Sequence, residues 1–396
     1  MSVYNYIAKT YPGLEEPLAR ELENMGASDV AVLGRAVSFS GTLPFLYEAN
    51  YRLRTALRIL MHLKSGTIFD NGDLYNLVSL VPWEEWFLTS KTIAVDSVVI
   101  NNSTFSNTVF VSQKVKDAVV DRFREIGGVR PTVDLKEADI RIHVHISGDN
   151  CDILLDSTGD SLHRRGYKIT HGPAPLSEVL AAGLIYLSGW DQKTPFFDPM
   201  CGSGTILAEA AMIALDVPPA KLRNSFCFTN WLSYKPEDFR EVKSKAAAYE
   251  RKHCPEIMGF DIEPKAVHAT RANINAIGLA KFVHAREADF FKEDPPFRSG
   301  FILTNPPYGV KIVPESLDKL YSDIGQTLKR KYAGYTASII SGYPPGFFKI
   351  GMKHDMKISI PNGPIDCSFR KYSIFQGKRA DFLDQAAKNE ISRSEQ

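Results

Sequence analysis

FFDPMCGSGTILAEAAMIAL, residues 196–215, joins a buried strand to a helix through a glycine-bearing turn. Thr194 to Asp198 has the short apolar texture of a covered strand and Pro199 to Ser203 that of a tight turn. From Gly204 onward Ala, Leu, Ile and Met recur at helical spacing. Glycines in such a turn let the backbone approach a ligand, and the unpaired N–H groups and positive dipole end of the new helix point at it. A dinucleotide turn needs G-x-G-x-x-G, yet Gly202-Ser203-Gly204 is followed by Thr205, Ile206 and Leu207 with no third glycine. A phosphate loop needs Gly-Lys-Ser/Thr, and no lysine stands there. Asp198, at the carboxyl end of the strand, would repel a pyrophosphate and suits a cationic ligand.

S-adenosylmethionine carries a sulfonium and an ammonium, and DPMCGSGT resembles motif I of the Rossmann-like S-adenosylmethionine-dependent methyltransferases. Downstream the pattern predicts strand Ile257–Ile262, helix Pro264–Ile277 ended by Gly278, strand Phe282–Ala288, strand Phe301–Asn305, helix Leu317–Arg330 and strand Thr336–Ser341. Such alternation builds an α/β fold, a mostly parallel sheet covered on both faces, with ligands at the carboxyl ends of its strands. Asp261 closes the second strand, placed to accept from both ribose hydroxyls. Asp289 closes the third, able to accept from an adenine amino group while the Phe290 N–H faces a ring nitrogen. A lone strand-end Asp is more often a helix cap; three in the expected order favour a site. HGPAPLSEVLAAGLIYLSGW, residues 171–190, carries a helix opened by Pro175, with Ser177 as an alternative cap. The resemblance puts the start of that helix over the cofactor. It implies cofactor contacts from Pro175, Asp198, Pro199, Cys201, Gly202, Ser203, Gly204 and Thr205, and from Asp261, Ile262, Asp289, Phe290 and Asn305, with no metal.

The fourth strand ends in Thr304-Asn305-Pro306-Pro307-Tyr308-Gly309. Two prolines remove two backbone donors and stiffen the turn, so the Asn305 amide oxygen and the Pro306 carbonyl can both act as acceptors. Together they would hold an amino group by its two hydrogens, favouring pyramidalisation of a conjugated and otherwise unreactive amine. Tyr308 offers a stacking surface for a planar substrate, as base-flipping enzymes require. N-P-P-Y resembles motif IV of the amino-methyltransferases, which act on adenine N6, guanine N2 or glutamine N5; the resemblance makes Asn305, Pro306, Pro307 and Tyr308 the catalytic residues. Cys201 lies inside the cofactor turn with no base nearby in sequence, which argues against a nucleophilic role.

Toward the N-terminus, Lys91–Ile100 reads as a strand, and Asn107–Ile126 as a helix with Val111, Val115, Ala118, Val119 and Phe123 on one face, stopped at Gly127-Gly128. Ile140–Ile146 and Cys151–Leu155 alternate like two strands joined by a turn. His143 and His145 share a strand face, and without a third ligand nearby a structural role is favoured over metal binding. GGVRPTVDLKEADIRIHVHI (127–146) and LLDSTGDSLHRRGYK (154–168) resemble the THUMP domain and its exit in RNA-modifying enzymes, which implies recognition of folded RNA. Arg130, His163, Arg164, Arg165, Tyr167 and Lys168 are the RNA-facing candidates, against the alternative of a charged interdomain linker. Residues 1–65 read as a small ferredoxin-like α+β unit: strand Tyr6–Thr10, helix Leu14–Met25, strands near Val30–Leu33 and Ala36–Ser40, and helix Leu43–Leu57. Arg52, Arg54 and Arg58 sit on or near that last helix, as a solvated face or an RNA-facing one.

The expected order is therefore a ferredoxin-like unit (1–65), a THUMP-like unit (66–165), a methyltransferase domain with a seven-stranded sheet (166–385) and a polar tail (386–396). A net charge of +1 excludes a protein that coats nucleic acid through bulk charge, so RNA contact must come from a local patch. Five cysteines without a C-x-x-C pair indicate neither a disulfide framework nor a zinc ribbon, and no apolar run approaches the roughly 20 residues of a bilayer span, so the expected location is the cytoplasm. With Pro361-Asn362-Gly363-Pro364-Ile365-Asp366-Cys367 near its end, the chain resembles the bacterial large-subunit ribosomal RNA guanine-N2 methyltransferases. That resemblance implies large-subunit (23S) ribosomal RNA or its assembly intermediate, methylated on the N2 amine of a guanine, as substrate. The same chemistry on adenine N6 or a protein glutamine, and a catalytically silent RNA-binding assembly factor, stay open as alternatives.

Overall fold

Alternating strands in the first part of the chain and strand–helix repeats in the rest build two separate sheets. The computed structural model describes residues 2–170, 176–309 and 316–375. The chain divides into two compact units: residues 1–165 with 218–249, and 166–217 with the chain from 250 onward.

The first unit contains β1 (Tyr4–Lys9), α1 (Glu15–Asn24), β2 (Ser28–Leu33), β3 (Ala36–Gly41), α2 (Leu43–Arg52), β4 (Arg58–Thr67), α3 (Asn71–Ser79), β5 (Thr92–Ile100), α4 (Thr108–Gly127), β6 (Thr132–Val133), β7 (Ile140–Ser147) and β8 (Asn150–Asp156). They form one eight-stranded sheet in the order β2-β3-β1-β4-β8-β7-β5-β6. Period-2 patterning sets its core face: Ile140, Ile142, Val144 and Ile146 of β7 are fully buried while Arg141, His143 and His145 alternate with them. The helix expected to reach Leu57 stops at Arg52, where Leu53 turns extended and the chain enters β4. The boundary expected at residue 65 falls inside β4, which pairs with β1 on one side and β8 on the other. The arginines form no shared helix face either. Arg52 pairs with Glu48, Arg54 is buried, and Arg58 lies on β4 bound to the buried Asp156. His143 lies 3.1 Å from Lys9 Nζ; burial, with that cation beside it, pushes its imidazole down to about 3. Among the described residues no group of three or more His, Cys, Asp or Glu is placed to hold a metal.

The second unit starts with α5 (Glu178–Ser188), β9 (Phe196–Asp198) and α6 (Thr205–Ala214). Every residue of α6 is buried, which is why its sequence, Thr205 and Glu209 apart, is apolar all round. Residues 218–249, carrying a single 3-10 turn (Cys227–Asn230) and α7 (Pro236–Tyr249), then belong to the first unit and interrupt the expected methyltransferase stretch. Phe228 stacks on Tyr47 at 4.6 Å between centroids, and Phe239 meets Phe228 edge-on at 5.2 Å. The second unit resumes with β10 (Ile257–Asp261), α8 (Pro264–Ala276), β11 (Val283–Glu287), β12 (Phe301–Thr304), α9 (Leu317–Lys331), β13 (Thr336–Ser341), α10 (Pro344–Ile350), β14 (Met356–Asn362) and β15 (Ile365–Ser373). Its seven strands run β11-β10-β9-β12-β13-β15-β14, parallel up to β13, with β15 antiparallel to both β13 and β14. This is the expected α/β methyltransferase sheet. Its strand order reverses at β9, so the crevice for a ligand opens above β9 and its neighbours β10 and β12. No helix among the described residues is long and apolar enough to cross a membrane.

Candidate active site

The turn after β9 is interlocked with its surroundings. The Cys201 N–H donates to the Phe260 carbonyl at 2.9 Å, and the Gly202 N–H to Asp261 Oδ2 at 2.9 Å. From α8, Thr270 Oγ1 donates to the Gly202 carbonyl at 2.8 Å and Asn273 Nδ2 to the Ser203 carbonyl at 3.0 Å. Gly204 caps α6 at φ +78°, and a Cβ there would meet Thr270 Cγ2 at 2.7 Å, so both conformation and space demand glycine. Thr205 is the first residue of α6, and Ser203 is buried beside it. Cys201 is buried against Thr270; burial pushes its thiol well above the ordinary range, the opposite of what a nucleophile needs.

The acids follow the strand ends. Asp198, 1% exposed, accepts from the Met200 N–H at 3.2 Å across Pro199. Burial pushes its carboxyl up to about 7, opposed by the Thr304 hydroxyl and the Met200 N–H. Asp261 ends β10; its second oxygen accepts from the Glu263 N–H at 3.0 Å, and Ile262 beside it is exposed. Asp289 lies two residues past the end of β11, accepts from the Phe291 N–H at 3.0 Å and pairs with Lys292 at 3.1 Å. The Phe290 ring is buried in the core under the sheet, with Phe197 and Tyr332. A carboxylate has about four acceptor positions, and the Gly202 and Glu263 bonds of Asp261 leave it capacity toward a ligand. The residues present therefore fit a cationic, hydroxyl-bearing cofactor. Pro175 lies outside the described residues.

Asn305 follows β12 directly. Its side-chain oxygen is buried and has no hydrogen-bond partner among the described residues. Pro306 is buried, while Pro307 and Tyr308 are half-buried. From α9, the buried Tyr321 donates to the Pro307 carbonyl at 3.3 Å and shares a short hydrogen bond with Ser341 at the end of β13. The Tyr308 hydroxyl accepts from Asn362 Nδ2 at 2.9 Å. Thr270, Asn273, Tyr321 and Asn362 all hold these turns, and sequence reasoning named none of the first three; Asn362 stood only inside its quoted C-terminal run.

The basic segment before this unit divides. Arg130 and Arg164 are exposed, Arg164 facing Asp160 at 3.4 Å, and His163 Nδ1 lies 2.9 Å from Ser161 Oγ. Arg165, Tyr167 and Lys168 do not fit the expected RNA-facing role. Arg165 is 1% exposed and donates to the Leu162 and Arg54 carbonyls. Tyr167 is fully buried with its hydroxyl on Glu209, and Lys168 pairs with Glu178 at 3.2 Å. The same polar groups that suggested a surface satisfy one another inside.

A glycine turn between two strand-end acids, set where the strand order reverses, defines a Rossmann-like methyltransferase, and the methyl donor of this class is S-adenosyl-L-methionine. Residues 165–371 match the family model for the RMKL-like methyltransferase domain, residues 70–156 the THUMP domain, and residues 5–60 the RlmL ferredoxin-like domain. The chain belongs to the RMKL-like methyltransferase family. It is 34% identical to a candidate RNA methyltransferase of Synechocystis sp. over 93% of this chain and 97% of that one. It is 35% identical to the ribosomal RNA large subunit methyltransferase K/L of Aliivibrio salmonicida over 93% of this chain but 53% of the relative, so it spans about half the length of the K/L proteins. Among solved structures, SMU.472, a candidate methyltransferase complexed with S-adenosylhomocysteine, superposes with a TM-score of 0.86 at 26% identity, covering 96% of this chain and all of that one.

Proposed function

We propose that this chain transfers a methyl group from S-adenosyl-L-methionine to the exocyclic N2 amine of a guanine in large-subunit ribosomal RNA, with the base flipped into the Asn305–Tyr308 turn. An RNA methyltransferase dependent on that cofactor is what family membership and its THUMP domain support. The guanine amine is the finer step, and the observation that carries the amine is the buried, unpartnered oxygen of Asn305. An orphaned buried acceptor costs about 1–3 kcal/mol, so its persistence points to a donor that arrives with the substrate.

The bound cofactor supplies the electrophilic methyl group. Asp261 holds the ribose, Asp289 and the Phe290 N–H read the adenine, and the buried Asp198 lies at the positively charged end, with Pro199, Cys201, Gly202, Ser203, Gly204, Thr205 and Ile262 shaping the cradle. Asn305 and the Pro306 carbonyl would accept hydrogen bonds from the two amine hydrogens as the nitrogen becomes a nucleophile, and the methylated nitrogen then gives up one proton to solvent. Tyr308 stacks on the base and keeps it in plane. Arg130, His163 and Arg164 of the first unit contact RNA phosphates, and the reaction takes place in the cytoplasm, where ribosomes are assembled.

The test is methyl transfer from labelled cofactor to large-subunit ribosomal RNA from cells lacking the gene, followed by digestion to nucleosides. Label in N2-methylguanosine is expected. Label in N6-methyladenosine would move the same site to an adenine substrate, and no transfer to any ribosomal RNA would leave the silent assembly factor.

A further inference from the structure

The ring of Tyr308 is fixed by a separate part of the fold. After β13 the chain passes through Gly342, where a Cβ would lie 3.2 Å from Tyr308 Cδ2 and 2.6 Å from Ile365 Cγ2. Any other residue there would push the ring away or lift the strand beside it. At its far end the phenol takes the hydrogen bond from Asn362. Asn362 is the last residue of β14, paired with Ile365 across a turn whose Gly363 has φ +63°. The hairpin is tied to the rest of the sheet because β15 pairs with β13, Ser368 opposite Ser341. Ser341 shares the hydrogen bond with Tyr321, which also reaches the Pro307 carbonyl. The tip of the hairpin and the end of β13 thus set both the tilt and the reach of one aromatic ring.

We propose that Asn362 is a positioning residue for the methyl-transfer reaction: by holding the Tyr308 hydroxyl from the β14–β15 hairpin, it sets the plane on which the target base stacks before the base arrives. This rests on the reading of Asn305–Tyr308 as the acceptor site for a planar amine. A tyrosine free to turn about its side-chain bonds would lose rotamer freedom when the base stacks, whereas one already held loses little. Asn362 has no part in the cofactor half of the site. It belongs to the strand pair at the opposite end of the sheet from β10 and β11.

The decisive experiment is a double-mutant cycle on the full chain, with ribosomal RNA lacking the modification as substrate. Asn362→Ala and Tyr308→Phe each remove one end of the bond. Each is expected to raise KM for RNA and lower kcat, together about tenfold in kcat/KM, with cofactor affinity measured by calorimetry unchanged within about twofold. The double variant is expected to be no worse than either single one, because the second substitution finds nothing left to remove. Asn362→Asp is expected to restore most of the loss, its carboxylate accepting from the phenol with donor and acceptor exchanged. Full activity in Asn362→Ala, or losses that multiply in the double variant, would overturn the positioning role. If the label appears in adenine rather than guanine, the guanine reading fails while the cycle still decides the role of Asn362, since either base stacks.

Discussion

Around the turn after β9, Thr270 and Asn273 donate to the Gly202 and Ser203 carbonyls and Asp261 accepts the Gly202 N–H; in the turn after β12, the Asn305 oxygen is buried and has no donor among the described residues. Both turns leave the carboxyl end of a strand in the same sheet, and they are finished to different degrees. The backbone of the first is tied down by the protein's own side chains, so under the proposed function its cofactor cradle is held in shape and little ordering opposes binding. The second keeps one acceptor unpaired among the described residues; under the proposed function its interaction is made with the target amine, where strengthening in the transition state lowers the barrier.

Four substitutions bear on this contrast. Asn305→Ala should lower kcat by roughly 10²–10³, comparable with loss of one preorganised polar partner, and leave cofactor affinity intact. Steady-state kinetics beside calorimetry checks it, and an equal loss in both would erase the distinction between the turns. Asp261→Ala removes the proposed ribose partner and also the partner of the Gly202 N–H; cofactor affinity should fall by about 1–3 kcal/mol with kcat at saturation much less affected. With Asp198 as the proposed partner of the cationic end, cofactor binding should depend on pH, since burial holds its carboxyl up to about 7 while a cationic ligand engages the ionised form. Affinity should fall about fivefold from pH 7 to pH 6, with a proton released on binding, and Asp198→Asn should abolish that slope. The stability sign runs the other way. Between the ordinary carboxylate range and about 7 the folded chain keeps a proton that the unfolded chain has lost, so stability conferred by the neutral form falls as pH rises through that window. Thermal unfolding without ligand should reflect this. Last, Thr270→Val keeps shape but removes the bond to the Gly202 carbonyl; a loss of about 0.5–1.5 kcal/mol in stability is expected, with catalysis at saturating cofactor almost unchanged.

The glycine turn, the strand-end acids and Asn305–Tyr308 stand out in the sequence as candidates because each is local: strand, turn and polar residue lie within a few positions of one another. What the sequence hid is held over long separations. Asn273 reaches Ser203 from another element, and Asn362 reaches Tyr308, with nothing in the intervening residues to link them. Residues 53–57 continue the expected helix past the real end of α2 because Leu53, Ala56 and Leu57 extend its apolar pattern and neither Gly nor Pro marks the break. Arg165, Tyr167 and Lys168 depart from the expected surface for a different reason. A basic, aromatic stretch carries the same letters whether its groups face water or pair inside, and burial is a property of the folded neighbours.

The return of residues 218–249 to the first unit bears on how the protein is made. Tyr47 and Tyr51 pack on Phe239, and Tyr47 on Phe228, so the core begun by residues 1–165 is closed only by a segment synthesised after residues 166–217. At about 5–20 residues per second, the intervening stretch of about 50 residues takes roughly 3–10 s to emerge. During that interval the nascent first unit exposes the aromatic faces of α2, and the motif-bearing strand β9 and helix α6 leave the ribosome before their neighbour β10 exists. The two units must therefore mature together rather than in succession, and a chain stalled or cut between Val217 and Glu250 would carry two unfinished cores instead of one finished domain.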